Sequence, residues 1–218
     1  MGISETVFLF DVDNTLLDND RVTSDLRRFL DKEVGARRSG SYWEIFEELR
    51  TDLGYADYLG ALQRYRLEQP YDSHLLAVST YLINYPFANR LFPSSLDVIA
   101  KCRQLGTVVI LTDGDVVFQP RKIERSGLFE AVSGNILIYV HKENELADVE
   151  RRYPAEKYVL VDDKIRILSA IKEIWRERVT TIFPRQGHYA LDVESVEKYP
   201  TADITVERIG DILNIDSF

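Results

Sequence analysis

The chain has 218 residues, of which 45% are hydrophobic and 29% are charged, a balance typical of a globular protein with a substantial core. Its formal net charge of −9 argues against a surface for nucleic acid or for an anionic membrane, because both need clustered lysine and arginine. One cysteine and three scattered histidines exclude an internal disulfide framework and argue against a cysteine- or histidine-rich zinc site.

Most of the chain alternates between predicted strands and predicted helices. Continuous apolar runs, which are typical of strands buried on both faces, occupy residues 6–12, 107–112, 136–140, 157–161, 178–183 and, more briefly, 203–206. Helical patterns between them cover residues 95–105, 116–126 and 164–175. This repetition predicts an α/β fold with a Rossmann-like parallel sheet, whose chemistry lies beyond the carboxyl ends of the strands.

One interval breaks the alternation. Between Leu16 and Leu91 there is no clear strand pattern, and apolar stripes at helical spacing occupy residues 42–53, 58–65 and 75–82. The simplest interpretation is an all-helical domain, residues 16–92, inserted into a core formed by residues 1–15 and 93–218.

Acidic residues lie at the end of the first predicted strand. Asp11 and Asp13 are two positions apart, so both carboxylates can reach one site. Such a pair suits a hard cation such as Mg²⁺, or a nucleophile beside a general acid and base. Taken alone, the pair is equally compatible with a helix cap followed by a turn aspartate.

The other strand ends add polar groups to the same predicted edge. Thr112 ends the second strand, where a hydroxyl beside a helix start suits a phosphate oxygen. Lys142 follows the third strand, and Asp162 and Asp163 follow the fourth. Parallel strands end at one edge, so these carboxylates are expected to crowd together and to repel unless a cation relieves them. Mg²⁺ together with a lysine would do so and leave an attraction for phosphate.

In this order, the strand-end residues resemble the four motifs of the haloacid dehalogenase superfamily. The matching residues are Asp11 to Leu16 for motif I, Thr112 for motif II, Lys142 for motif III, and Asp162 with Asp163 for motif IV. The interval 16–92 is similar in position and size to the family's helical cap of the first type. The resemblance therefore implies a Rossmann-like core with an inserted helical cap.

The resemblance also implies a role for each motif residue. Asp11 would attack phosphorus and form an aspartyl-phosphate, and Asp13 would act first as general acid and then as general base. Thr112 would bond a phosphoryl oxygen, and Lys142 would stabilise Asp11 and the transferring charge. The Mg²⁺ ligands would be the Asp11 carboxylate, the Asp13 backbone carbonyl, Asp163 directly, and Asp162 directly or through water.

Two positions depart from the family's pattern. Glu143 stands where proline is frequent after the motif III lysine, so Lys122, on the helix after motif II, is the alternative to Lys142. If it is not that lysine, Lys122 is expected on a solvated helix face. Asn14 replaces a usual glycine, and asparagine tolerates similar backbone angles.

Further residues near the motifs are open to two interpretations. Asp113 and Asp115 are expected to cap the helix that follows them rather than to catalyse. The segment from Gln186 to Tyr189, after the fifth strand, either lines the site entrance or forms a turn. The cap supplies candidates for contact with a second anionic group of the substrate, the alternative being that they lie at its surface: Arg37, Arg38, Arg64, Arg66 and Arg90.

Asp13 indicates the reaction within the family. The family's 2-haloacid dehalogenases lack a carboxylate here, because their leaving group needs no proton. The prediction is a Mg²⁺-dependent phosphatase acting on a small phosphorylated metabolite, with no nucleic-acid or membrane partner. No signal peptide is evident, so a cytoplasmic enzyme is expected. The alternatives are a phosphomutase or phosphotransferase on the same scaffold and a non-catalytic binding protein; the substrate and the oligomeric state stay open.

Overall fold

The computed structural model describes residues 4–218, so the prediction that residues 1–3 belong to the core lies outside the described residues. Six strands form one sheet in the order β3-β2-β1-β4-β5-β6, and every pairing in it is parallel. Their bounds are β1 Ser4–Phe10, β2 Thr107–Asp113, β3 Ile136–Tyr139, β4 Ala155–Val161, β5 Val179–Pro184 and β6 Ile204–Val206. The predicted parallel α/β sheet is confirmed.

Helices cover both faces of this sheet and fill the interval between its first two strands. The interval contains α1 (Asn19–Glu33), α2 (Ala36–Leu53), α3 (Tyr58–Glu68) and α4 (Leu75–Asn84). After it come α5 (Ser95–Leu105), α6 (Phe118–Ser126), α7 (Leu128–Ala131), α8 (Leu146–Arg152), α9 (Ile165–Trp175), α10 (Gly187–Leu191) and α11 (Val193–Val196). In the described part of the chain, none of these helices combines the length and the apolar character needed to cross a bilayer.

The central strand β1 separates two apolar clusters. Phe8 and Phe10 pack into one cluster and Val7 and Leu9 into the other, as the alternation of side chains along a strand requires. The first cluster continues through α5 into the helices α1 to α4. Because β1 lies between β2 and β4, the residues just beyond Phe10 stand in the middle of the carboxyl edge.

The chain leaves the sheet and returns to it through two adjacent segments. The Phe92 amide donates to the Leu16 carbonyl at 2.9 Å, and the Asp18 amide donates to the Arg90 carbonyl at 2.8 Å. The side chain of Ser95 also donates to the Leu16 carbonyl, at 2.8 Å. The segment that contains helices α1 to α4 therefore begins and ends at one point, beside the carboxyl end of β1.

A buried carboxylate joins three of these four helices. The Tyr65 hydroxyl of α3 donates to Asp72 Oδ2 at 2.6 Å, and the His74 amide donates to Asp72 Oδ1 at 2.9 Å. The Arg38 guanidinium of α2 lies 3.6 Å from Oδ2. Burial by itself would raise the pKa of Asp72, but these hydrogen bonds and the Arg38 charge outweigh it and lower the pKa to about 2.

Asp72→Asn is expected to destabilise the protein by about 1–2 kcal/mol at neutral pH. A carboxyl group whose pKa is lower in the folded chain stabilises the fold fully above its ordinary pKa of 3.8, and this contribution is lost as the pH falls from there toward 2. Denaturant unfolding of both proteins between pH 7 and pH 2 measures the difference. If the difference in unfolding free energy between the native protein and Asp72→Asn does not become smaller as the pH falls, the Asp72 carboxylate does not stabilise the fold in this way.

Candidate active site

Three aspartates converge where β1 and β4 end. The Asp11 amide donates to the Val161 carbonyl at 3.0 Å, which places the residue after β1 beside the end of β4. Asp162 and Asp163 follow at once, and the structure brings one carboxylate oxygen from each of the three residues within 4.8 Å of the others. All three side chains are buried. The structure thus brings together three of the four residues predicted to hold Mg²⁺.

The Asp163 carboxyl group is buried and has no hydrogen-bond donor among the described residues. Both of its oxygens are inaccessible to solvent, and neither accepts a hydrogen bond from any residue that the structure describes. Burial and the nearby charges of Asp162 and Asp11 raise the pKa of this carboxyl. An oxygen pair that is buried and has no donor, beside two further carboxylates, is the environment that a hard divalent cation stabilises.

Lys142 supplies the positive charge inside this cluster. Its Nζ lies 2.6 Å from Asp11 Oδ1 and 2.6 Å from Asp162 Oδ2, and it also donates to the Leu111 carbonyl at 3.3 Å. Burial would lower the pKa of the lysine, but the Asp11, Asp162 and Asp113 carboxylates raise it, so the ammonium stays protonated. Of the two lysines considered for motif III, Lys142 is the one in contact with Asp11.

The sequence predicted that Lys122, if it is not the motif III lysine, lies on a solvated helix face. In the structure it is buried instead. Its side chain is 1% exposed, and its Nζ lies 2.5 Å from Asp13 Oδ1 and 3.2 Å from Asn19 Oδ1. The reason is that Phe118, the first residue of α6, packs against Tyr58 of α3, and the Lys122 ammonium contacts Asn19 of α1, so the face carrying Lys122 is covered. Each aspartate of motif I therefore has its own buried lysine.

Asp115 and Asp113 have different roles. Asp115 Oδ1 accepts from the amides of Val117 and Phe118 at 2.8 and 2.7 Å, so Asp115 caps α6 as predicted. The prediction that Asp113 is a cap was wrong: its Oδ1 accepts from the Lys142 amide at 2.8 Å. Asp113 therefore fixes the backbone that carries the lysine.

The Thr112 hydroxyl ends β2 on the same edge and lines the cavity described below. It accepts a hydrogen bond from Gln119 Nε2, on α6, at 3.0 Å. Gln119 is buried and was not identified from the sequence, where it has no motif and no distinguishing neighbours.

A tight turn after β1 holds the site residues in place. Asn14 adopts φ 60°, in the left-handed region, in agreement with the expectation for this position. Thr15 Oγ1 accepts from the Asp163 amide at 3.0 Å, and Gln186 Nε2 donates to the Thr15 carbonyl at 2.7 Å. Gly187 packs so closely that a Cβ there would lie 2.4 Å from the Asn14 Cβ. The segment 186–189 is thus part of the site wall and begins the short helix α10.

A cavity of about 250 Å³ opens above these groups. Core residues Asp11, Asp13, Thr112 and Lys164 line its floor, and α10 contributes His188 and Tyr189. Helices α1 to α3 and their connections supply the remaining lining, which includes Asp20, Thr23, Phe46, Glu47, Arg50, Tyr55 and Tyr58. The cavity therefore lies between the sheet edge and the helices of the interval 16–92.

The arginines of the interval 16–92 that were predicted as candidate substrate contacts are not among the residues lining this cavity. Arg90 instead donates to Asp25 and to the Tyr85 hydroxyl, and Arg38 faces Asp72. Arg50 lines the cavity and was not singled out, because nothing in its local sequence distinguishes it from its neighbours.

The comparisons with known proteins agree with one another. A family model for haloacid dehalogenase-like hydrolases matches residues 6–174. A Burkholderia xenovorans LB400 protein, named as a haloacid dehalogenase-like hydrolase, is 60% identical, with a TM-score of 0.94 over 98% of this chain and 99% of that one. A search of curated proteins found no match.

More distant solved structures share the fold alone. The HAD-hydrolase YfnB of Bacillus subtilis, determined with magnesium bound, is 15% identical, with a TM-score of 0.64 over 96% of this chain and 97% of that one. The L-2-haloacid dehalogenase of Xanthobacter autotrophicus is 18% identical, with a TM-score of 0.62 over 96% and 97% of the two chains.

Proposed function

The chain belongs to the haloacid dehalogenase-like hydrolases, and we propose that within this family it is a Mg²⁺-dependent phosphatase working through an aspartyl-phosphate. The observation that carries the proposal is the Asp13 carboxylate, which lines the cavity beside the buried Asp11 and is held by Lys122. In this proposal Asp11 attacks phosphorus, and Asp13 exchanges a proton with the group that leaves.

Asp13 favours phosphoryl transfer over dehalogenation. An alkoxide that leaves phosphorus is strongly basic and needs a proton, so a general acid accelerates that step by about 10²–10⁴-fold. A halide ion leaves without a proton, so a carboxyl group at this position would have no function in dehalogenation. The Asp13 side chain is 27% exposed and lines the cavity, so it is accessible both to a substrate oxygen and to water.

The residues of the site account for both half-reactions. In the first, an Asp11 oxygen forms a bond to phosphorus, the ester P–O bond breaks, and Asp13 gives its proton to the departing alcohol. In the second, Asp13 takes a proton from water as the water oxygen bonds to phosphorus. The acyl phosphate bond then breaks, which releases phosphate and restores Asp11. Thr112 donates to a phosphoryl oxygen, and Lys142 offsets the charge that builds up there.

The donor set fits a magnesium ion. Asp11, Asp162 and Asp163 present carboxylate oxygens within 4.8 Å of one another, and the Asp163 carboxylate has no donor among the described residues. These three and the Asp13 backbone carbonyl would hold the ion, which keeps several waters in most protein sites. When bound, the ion supplies positive charge that offsets the Asp11 carboxylate and the phosphoryl oxygens.

The cavity limits the size of the substrate. Its volume of about 250 Å³ must hold the phosphoryl group as well as the remainder of the ester, so we propose a small phosphorylated metabolite of the cytoplasm rather than a nucleic acid or a protein. In this proposal residues 16–92 are a cap on the core of residues 1–15 and 93–218, and the cap excludes water during transfer.

A panel of small phosphate monoesters, with an aryl phosphate included, tests the function. Phosphate release in Mg²⁺ that stops in excess EDTA is expected, and absence of release from every ester would contradict the proposal. Thermal unfolding supplies a readout independent of activity: Mg²⁺ is expected to raise the Tm of the native protein, and Asp163→Asn is expected to remove that shift. Asp216→Asn, near the end of the chain, is the matched control and should keep the shift.

A further inference from the structure

Lys122 is a buried cation that the reaction scheme above does not use. It lies on α6, and its ammonium group contacts Asp13 Oδ1 at 2.5 Å and Asn19 Oδ1 at 3.2 Å. Its side chain is as deeply buried as that of Lys142, which contacts Asp11. The two carboxylates of motif I are therefore held by two different lysines, which come from different elements.

The second partner of Lys122 belongs to the helices above the sheet. Asn19 is the first residue of α1, and its Nδ2 donates to the Tyr58 hydroxyl of α3 at 3.3 Å. The same hydroxyl lies 2.7 Å from Thr23 Oγ1, which in turn donates to the Asn19 carbonyl at 3.0 Å. A continuous set of polar contacts thus runs from Asp13 through Lys122 into α1 and α3.

Apolar packing fixes the geometry of these contacts. The Tyr58 ring packs against Phe118, the first residue of α6, with ring centroids 5.1 Å apart. The Lys122 ammonium also lies 5.4 Å from the centre of the Phe118 ring. Helix α6 therefore contacts α3 through Phe118 and α1 through Lys122, and Lys122 gains its second acceptor only when α1 occupies this position.

Burying a lysine is a costly way to stabilise a fold. A well-packed apolar side chain of similar volume is often as good or better for stability, so a buried ion pair needs another explanation. Here the pair occupies one oxygen of a carboxylate that lines the cavity. With Oδ1 held by Lys122, Asp13 Oδ2 is the oxygen available for proton transfer. The contact therefore decides which oxygen of Asp13 reaches the substrate, and in what orientation.

We propose that Lys122 is a positioning residue that aims Asp13 at the leaving-group oxygen when α1 and α3 are seated on the core. The inference rests on the proposed function, since it takes Asp13 as the general acid. It extends that function by making the orientation of the acid depend on a contact with the cap helices. The proton is then delivered efficiently only when these helices hold the position seen in this structure.

The dependence on the leaving group separates this role from a purely structural one. Single-turnover transfer from an alkyl phosphate needs a proton on the departing oxygen, whereas 4-nitrophenolate leaves without one. Lys122→Met is expected to slow alkyl transfer by about 100-fold and the 4-nitrophenolate burst by less than about threefold, with little change in KM. Asn19→Ala keeps the ion pair between Lys122 and Asp13 and removes the contact between Lys122 and α1. It should therefore also slow alkyl transfer more than the 4-nitrophenolate burst, but by a smaller factor than Lys122→Met.

Two further variants, a control and a test of the proposed function itself, make every outcome decisive. Lys101→Met removes a lysine that bonds the carbonyls of residues 212, 213 and 215, away from the site, and should show no leaving-group selectivity. Asp13→Asn should show the largest selective loss; if it spares alkyl transfer, the proposed function fails rather than this inference. Equal losses on both esters in Lys122→Met, with Asp13→Asn selective, would overturn the inference.

If Lys122→Met does not fold, Asn19→Ala decides the question alone. A selective loss of alkyl transfer in that variant supports the inference, and an unchanged or uniformly reduced rate overturns it. If Lys122→Arg folds, it supplies a second measurement. Its rate of alkyl transfer should be higher than that of Lys122→Met, because a guanidinium can still bond Asp13.

Discussion

Asp11→Asn is expected to abolish turnover, by at least about 10⁴-fold, in a protein that stays folded. The amide is nearly the same size as the carboxylate but lacks the charged oxygen that would bond to phosphorus. Stability should not fall, because Lys142 keeps its contact with Asp162 at 2.6 Å and the buried cluster loses one of three repelling charges. A Tm equal to or above that of the native chain is the expected result.

Phosphate release and thermal unfolding of the same preparation check both parts of this prediction. Mass spectrometry of acid-quenched native enzyme should also find one phosphoryl group on the peptide that contains Asp11. Asp115→Asn is the matched control: it keeps an oxygen that can cap α6 but removes the negative charge at the N-terminus of that helix, so it should lower stability by up to about 1 kcal/mol and leave most activity. Retained turnover in Asp11→Asn would contradict the assignment of the nucleophile.

The convergence of the site could be predicted from the sequence because it follows from topology. Apolar runs that alternate with helices predict a parallel sheet, and parallel strands end at one edge. Asp11, Thr112, Asp162 and Asp163 are each placed by lying at, or directly after, the carboxyl end of such a run. No knowledge of packing between distant segments is needed for that inference, and the structure brings these residues together.

Lys122 could not be placed in the same way. Its burial depends on contacts with residues about a hundred positions away in the chain, on helices whose orientation no local pattern determines. A charged residue on an amphipathic helix is usually solvated, so the sequence favoured exposure. The same reasoning applies to Gln119 and Arg50. Their sequence neighbours form no motif, and only the fold brings Gln119 to Thr112 and Arg50 to the cavity.

The apolar faces predicted from helical periodicity are also wider than the faces that are buried in the structure. Leu76 falls within the predicted stripe of residues 75–82 but is 78% exposed, while Val78 and Leu82 on the same helix are buried. On α9, Ile171 is buried and Ile174 is 62% exposed. The width of the buried face depends on how closely the neighbouring element approaches, and that distance is a property of the fold rather than of the helix.

Lys142→Met is expected to remove activity and also to destabilise the metal-free protein by about 3–5 kcal/mol. The substitution keeps the volume of the side chain and removes the ammonium that contacts both Asp11 and Asp162. The three buried carboxylates then lose that counter-charge and keep the charge of Lys164, which lines the cavity, and burial with too little counter-charge is costly. Denaturant unfolding in EDTA measures the loss, and Lys157→Met, an exposed lysine on β4, should change stability by less than about 0.5 kcal/mol.

Magnesium and a second substitution distinguish this electrostatic cause from a packing defect. If repulsion among the carboxylates is responsible, saturating Mg²⁺ should recover much of the lost stability, because a cation in the cluster replaces the missing charge. Asp11→Asn should recover part of it without metal, so the two substitutions together should cost less than the sum of their separate effects. A deficit that neither Mg²⁺ nor Asp11→Asn reduces would mean that Lys142 acts through packing rather than through its charge.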